Sequence, residues 1–421
     1  MDIRFRGNVY SVGDGFCYEG RIRNEDGVEK YRFVIDCGSE APRSKKQRKG
    51  KLSDRAGCSI RIKKITDEIA VHNEHIDLFI LTHFHEDHYN GYKELFAKTK
   101  IDRVIIPYLY PEERLCLIVN SDMSDDNIEF LINPYAAILN LCRENNPDAE
   151  LILVRGNGND QVYGDQNAPL FVENTRWGEG HEDTVDIIET ENIEQSHVQV
   201  IRTLSSGTRI RGLDWMFKLF NLEVEQEKLD DLRKFVGKLS AQSLNSLIKT
   251  SKSDLKKKYD IIAQYLYKDL NNTSIVTYCA PIINVQPRCG TLMTGDIDLN
   301  HGIADEIIKY FQNELDRIAL FSIPHHGSNR NWNSKFISHG KLDNTICFAV
   351  THNYYDNRLT CKMMSDLRCH NICVLVVDEN RFSEFEQEVI IADDYVVEYV
   401  IKEKCNIRLS KRVVALSFYD I

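Results

Sequence analysis

Three imidazoles and a carboxylate fall within six residues in FILTHFHEDHYNG, residues 79–91: His83, His85, Asp87 and His88. They follow an apolar run that reads as a strand. Alternate residues of an extended chain point the same way, so His83 and His85 can face one point. Asp87 and His88 come where the chain enters a helix and can aim at a second point close by. Imidazole and carboxylate are ligands expected of zinc or manganese, at about 2.0–2.2 Å from zinc. Two ions roughly 3.5–4 Å apart could share one hydroxide acting as a nucleophile. Asp87 can also orient that hydroxide or take a proton.

Two later segments extend the set. LMTGDIDLN puts Asp296 just past a strand, after Gly295, which lets the backbone turn closely. A carboxylate there could bridge two metals. IPHHGSN puts His325 and His326 at the end of the next apolar run. Ligands at the ends of neighbouring strands can converge. Either histidine can be the ligand on sequence grounds.

The elements that must position these residues are short apolar runs: 31–38, 77–83, 103–110, 151–156, 274–281, 290–297, 319–327, 345–353 and 372–379. Their continuous apolarity predicts sheets covered by helices. Helices are predicted over 87–98, 124–144 and 302–316. Strand and helix alternate, which gives a layered α/β or α+β class. Residues 221–270 differ. Leu229, Leu232, Val236 and Leu239 recur at helical spacing, which predicts a helical insertion: a cap on the core, or a lid or partner surface. Residues 381–421 alternate in places and predict a terminal β-hairpin or small sheet.

Composition bounds the rest. The 421 residues are 42% hydrophobic and 28% charged, which excludes wholesale disorder and rod-like repeats. The net charge of −11 argues against a generally basic nucleic-acid coat protein, but not against a local basic groove. Twelve cysteines without a C-x-x-C pair read as reduced and buried. No secretory leader and no apolar run of membrane-spanning length occur, so a soluble, cytoplasmic protein without a membrane partner is expected.

H-x-H-x-D-H, then a late Asp, then a late His, resembles the ligand order of the metallo-β-lactamase superfamily. IDCGS (35–39) matches its strand-end Asp. NNTSIVTY (271–278), LMTGDID and IPHHGSN are similar, in the same order, to the metal-dependent domain of the ComEC type found in DNA-uptake proteins. The likeness covers roughly 1–110 and 271–380. It implies an α+β fold, the αββα sandwich, with halves 1–220 and 271–380, the helical insertion 221–270 and a β extension 381–421. It also implies Zn2+ (one or two ions) or Mn2+. His83 and His85 would bind one ion and Asp87 and His88 the other. Asp296 would bridge them, and His325 or His326 would complete the set. A further superfamily histidine, often in P-G-H-T, has no counterpart tetrapeptide here. His181 and His197 are the candidates, and without them a one-metal site or a manganese preference is expected.

The site alone says hydrolase, not substrate. Residues 41–64 carry ten Lys/Arg against Asp54, among them Lys45, Lys46, Arg48 and Lys49. They read as a phosphate-gripping loop or as a solvated surface loop. Ser328, Asn329 and Arg330 could donate to a phosphate, with Arg330 as charge clamp, or simply form a turn. His352, in AVTHNYY, is a candidate substrate contact. A phosphodiesterase or nuclease acting on nucleic acid or nucleotides is therefore expected. The alternatives are a hydrolase of lactones, thioesters or β-lactams, and a non-catalytic recognition module whose partner surface is 221–270.

Overall fold

The structure is a computed structural model. It describes residues 3–39, 51–72, 74–120, 125–155, 171–172, 191, 198–202, 207–210, 215–222, 226–257, 270–282, 285–351, 358–377, 383–392, 395–405 and 413–415. In chain order its strands are β1 (Ile3–Val9), β2 (Cys17–Asn24), β3 (Glu29–Cys37), β4 (His75–Ile80), β5 (Lys100–Pro107), β6 (Glu150–Arg155), β7 (Phe171–Val172), β8 (Val198–Arg202) and β9 (Gly207–Ile210). There follow β10 (Trp215–Phe220), β11 (Val276–Pro281), β12 (Gly290–Met293), β13 (Ile318–Ser322), β14 (Ile346–Val350), β15 (Cys373–Val377), β16 (Ser383–Ala392), β17 (Tyr395–Cys405) and β18 (Val413–Ala415).

Among the described residues these strands form two sheets. The first runs β18-β17-β16-β1-β2-β3-β4-β5-β6-β8, and the second β15-β14-β13-β12-β11-β10-β9-β7. Pairing is parallel from β3 through β6 to β8 and again from β12 to β15. Each of the nine apolar runs overlaps a strand, and all but β11 have a parallel neighbour, the setting in which strands are buried on both faces. The sheets meet face to face through aromatic pairs. Phe5 stacks on Trp215 with ring centroids 4.8 Å apart, and Phe33 meets Phe217 edge-on at 4.8 Å. A second apolar layer joins the outer face of β11–β14 to the helices Ile303–Tyr310 and Cys361–Cys369. The mixed α+β sandwich is thus present.

The helices differ in detail from the sequence reading. The predicted helix over 87–98 is two, Glu86–Tyr89 and Tyr92–Lys98. Gly91 separates them because its N–H donates to the Cys37 carbonyl at 2.8 Å, and a Cβ there would come within 2.6 Å of that oxygen. The helix over 124–144 also divides, at Pro134, where the Asn133 side chain accepts from the Ala136 N–H at 3.0 Å. The basic run 41–64 is not a loop from residue 51 onward: it continues into the helix Lys51–His72. Ile62, Ile65 and Ile69 form its buried stripe. The charged residues between them mask that period in the sequence.

The insertion supplies helices Gln226–Val236 and Ala241–Lys257, packed on the helix Pro111–Asn120. Leu229, Leu232 and Leu244 are fully buried in the main core. Buried Glu112 accepts from the Leu239 N–H at 2.8 Å and from Arg233 Nε at 3.2 Å. The apolar stripe of the insertion is therefore turned to the core. The tail is not set apart from the sandwich: β16 pairs antiparallel with β1 from Ile3↔Ile391 to Val9↔Phe385, and so joins the first sheet. No helix among the described residues is long and apolar enough to cross a membrane.

Candidate metal centre

The centre lies where the carboxyl ends of strands from both sheets meet. Asp36 is the penultimate residue of β3, and Thr82, His83 and His85 follow β4. Asp296 follows β12, and His325 and His326 follow β13. The Ile275 N–H donates to the Thr82 carbonyl at 2.9 Å and ties the two sheets together at this point. Backbone strain gathers here as well. Asp36, His325 and His326 have φ of 55°, 50° and 55°, in the left-handed region. Such residues persist only where their surroundings over-determine them, and they cluster at functional sites. Gly295 has φ of 55°, and a Cβ there would come 3.1 Å from Ser274 Cβ. A larger residue at this position would press on the turn that carries Asp296.

Two overlapping groups result. Potential ligand atoms of Asp87, His88, Asp296 and His326 all lie within 4.8 Å of one another, as do those of His83, His85 and Asp296. Asp296 belongs to both, and its oxygens divide the imidazoles. Oδ1 lies 3.2 Å from His88 Nε2 and 3.8 Å from His326 Nε2. Oδ2 lies 3.7 Å from His83 Nε2 and 3.9 Å from His325 Nε2. Of the adjacent histidines, His326 enters the first group, while His325 stands at the edge of the second with its side chain 30% exposed.

The hydrogen bonds behind the imidazoles fix their tautomers. His88 Nδ1 lies 2.7 Å from Asp36 Oδ2, a carboxylate oxygen, so Nδ1 carries the proton. Thr82 Oγ1 donates to Asp36 Oδ2 at 2.6 Å. Its single hydrogen being spent there, it accepts from His83 Nδ1 at 3.0 Å. His326 Nδ1 donates to the Val350 carbonyl at 3.0 Å. In all three rings Nε2 is left to face the carboxylates. His83 Nε2 and His88 Nε2 are buried without a hydrogen-bond partner, the 3.2 Å approach of His88 to Asp296 being misaligned for one. Buried orphan nitrogens aimed at carboxylates are costly unless a cation lies between them. The donor set therefore fits a divalent metal of the nitrogen–oxygen class.

Electrostatics point the same way. Burial pushes the Asp296 carboxyl up, but His88, His326 and His325 hold it well below the usual range. Asp87 is likewise lowered against its burial, by His88 and His326. Burial disfavours charge on His88, yet Asp296, Asp36 and Asp87 raise it well above its ordinary value. His326 is raised against burial by Asp296 and Asp87, while the Arg358 guanidinium opposes. His83 is driven down by burial, with His88 adding to it. The carboxylates thus demand positive charge at the Nε2 atoms.

Residues 23–165 match the family model of the metallo-beta-lactamase superfamily. This stretch of the chain is similar to the metallo-β-lactamase superfamily. The matched stretch contains Asp36 and His83–His88, and the fold brings Asp296 and His326 to them from beyond it. No curated protein matches the chain.

The remaining sequence candidates are spread more widely. Ser328 begins the turn after the histidine pair, its N–H donating to the His325 carbonyl at 2.9 Å. Exposed Asn329 accepts from Thr360 Oγ1 at 2.9 Å, which fastens the turn to the start of the helix Cys361–Cys369. Arg330 is exposed, and its carbonyl accepts from Asn300 Nδ2 at 2.7 Å. This part of the segment thus behaves as turn chemistry. Lys45, Lys46, Arg48, Lys49, His352, His181 and His197 lie outside the described residues. Sequence reading missed Thr82 as the link between Asp36 and His83, and it missed the Arg358 guanidinium as a charge that bears on His326. Neither residue type carries a signal by itself. The position of Thr82, next to the first ligand histidine, was the only clue.

Proposed function

We propose that the protein is a metal-dependent phosphodiesterase or nuclease of ComEC type, acting on nucleic acid or nucleotides with Zn2+ (one or two ions) or Mn2+. The observation that carries the hydrolase reading is the convergence of His83, His85, Asp87, His88 and His326 on Asp296, with the Nε2 atoms of His83 and His88 orphaned. A divalent metal held there supplies Lewis acidity and an activated water, with a pKa lowered to about 7 in zinc enzymes. Asp36 and Thr82 keep the protons of His88 and His83 on Nδ1. Asp87 is the more solvent-open of the two cluster carboxylates, so its Oδ atoms are placed to accept a proton from an attacking water.

The phosphate reading rests on where the basic helix meets the site. Arg61 Nε donates to Ser39 Oγ at 3.2 Å. Ser39 adjoins Gly38, whose backbone is so close to Asp87 that a Cβ would come 2.3 Å from the Asp87 carbonyl oxygen. Lys63 and Lys64 are exposed on the same helix. Cations at the rim of a hydrolytic centre suit a polyanionic backbone. The test incubates the purified protein with plasmid, single-stranded DNA and cyclic nucleotides in the presence of Mn2+ or Zn2+. Turnover of at least one is expected. Bound metal with no turnover of any would sink the reading.

A further inference from the structure

The geometry points to Arg358 as the residue that grips the anionic oxygens of the substrate, an inference that rests on the phosphodiesterase reading and specifies how that site holds a phosphodiester.

Position comes first. Residue 358 forms an antiparallel bridge with Ser328, and the Leu359 N–H donates to the Gly327 carbonyl at 2.9 Å. Leu359 packs beneath Gly327, where a Cβ would come 2.9 Å from Leu359 Cδ2. The backbone of Arg358 is thereby fastened to the turn that carries His325 and His326.

The side chain is also held. Nη1 donates to Asp14 and, at 3.0 Å, to Thr351 Oγ1. Asp14 comes from the connection between β1 and β2 in the first sheet. Thr351 follows Val350, whose carbonyl takes the His326 proton. The guanidinium therefore spans from one sheet's loops to the other's beside the metal ligands. It remains one-fifth exposed. Among the described residues, only its Nη1 has hydrogen-bond partners, which leaves Nε and Nη2 as donors for a ligand.

A guanidinium held by one nitrogen presents its other edge as a fixed pair of parallel donors. That pair matches two oxygens of one phosphate, and a lysine ammonium cannot reproduce it. A neutral ester or lactone has no use for it. Exposed Arg330, the clamp expected from sequence, has no comparable fixture among the described residues. The competing view makes Arg358 a staple between the sheets through Asp14. A staple lowers stability and affects every ligand equally, whereas an anion grip distinguishes a charged backbone from a neutral one.

The test uses the full-length, metal-loaded protein and two probes, the dinucleotide dTpdT and its uncharged methylphosphonate analogue. Binding is measured by calorimetry for wild type, Arg358→Gln and Arg358→Lys, with metal content and thermal unfolding alongside. Wild type is expected to favour dTpdT. Arg358→Gln is expected to weaken dTpdT by about 10- to 100-fold while leaving the analogue and the metal content unchanged. Arg358→Lys should recover only part of that loss. An Arg358→Gln protein that keeps wild-type affinity for dTpdT overturns the proposal, as does equal weakening of both probes with lowered stability. A wild type that hydrolyses no phosphodiester and does not distinguish the probes overturns the phosphodiesterase reading and this inference with it.

Discussion

Asp36 Oδ2 lies 2.7 Å from Nδ1 of His88, and the same carboxylate takes the Thr82 hydroxyl that orients His83. One buried acid thus sets two imidazoles, one from each ligand group. Asp36→Ala should weaken metal binding by about 10- to 100-fold, the usual effect of removing a ligand's outer partner. Competition with a chromogenic chelator would read this directly. Unchanged affinity would mean that His83 and His88 are not metal ligands.

Metal should also stabilise the fold. A ligand at about 100 times its dissociation constant adds about 2.7 kcal/mol to the native state when it binds only that state. Thermal unfolding of wild type should shift upward with Zn2+ or Mn2+, and the shift should vanish in Asp296→Ala, which removes the shared carboxylate. An equal shift in that variant would place the metal elsewhere.

The helix Lys51–His72 offers a separate test through Lys63 and Lys64, which are exposed and belong to neither ligand group. The double change Lys63→Glu, Lys64→Glu should weaken binding to DNA. It should also flatten the dependence of log affinity on log salt by about 0.9 for each duplex phosphate that is no longer neutralised. Filter binding across a salt series measures both. An unaltered slope would favour the small-carbonyl alternative.

The two-helix insertion should behave as part of the core. Leu232, on its first helix, is completely buried there. Leu232→Ala should cost about 2–5 kcal/mol in denaturant unfolding. A loss below about 0.5 kcal/mol would mark the insertion as loosely attached.

Asp77, on β4 away from the centre, sets a pH effect. Burial pushes its carboxyl up to about 6, although it accepts the Arg32 N–H at 2.7 Å. The folded value lies above the unfolded one of about 3.9, so folding favours the protonated acid. Its stabilising contribution is complete below pH 4 and disappears as pH climbs through 6. Asp77→Asn keeps an acceptor for Arg32. It should remove that slope and raise stability above pH 6 by about 1–2 kcal/mol. Urea midpoints from pH 4 to 8 would show it, and an unchanged slope would exclude Asp77 as the source.

Much of this centre was legible because its ligands are local. His83, His85, Asp87 and His88 share one strand end, so spacing alone brings them together. Asp296, His325 and His326 could be added because each closes an apolar run. β1 and β2 were hidden because charge interrupts them. Glu19 is buried, accepting from Tyr10 at 2.7 Å, Arg21 at 2.9 Å and Arg32 Nε at 2.7 Å, so paired charges sit where apolar residues would announce a strand. Arg358 was hidden for a different reason. Its partners Asp14 and Thr351 are distant in sequence or ordinary in type, and only the assembled fold shows what they hold in place.

The antiparallel ladder between β1 and β16 joins the first residues to ones more than 370 positions later. Until Phe385 to Ile391 emerge from the ribosome, the nascent chain carries a strand bearing Ile3, Phe5 and Val9 with one flank uncovered. Such an edge invites pairing with other chains. The hydrolytic centre can gather its residues only after Asp296 and His326 are made, so neither the sheet nor its chemistry can mature early in synthesis.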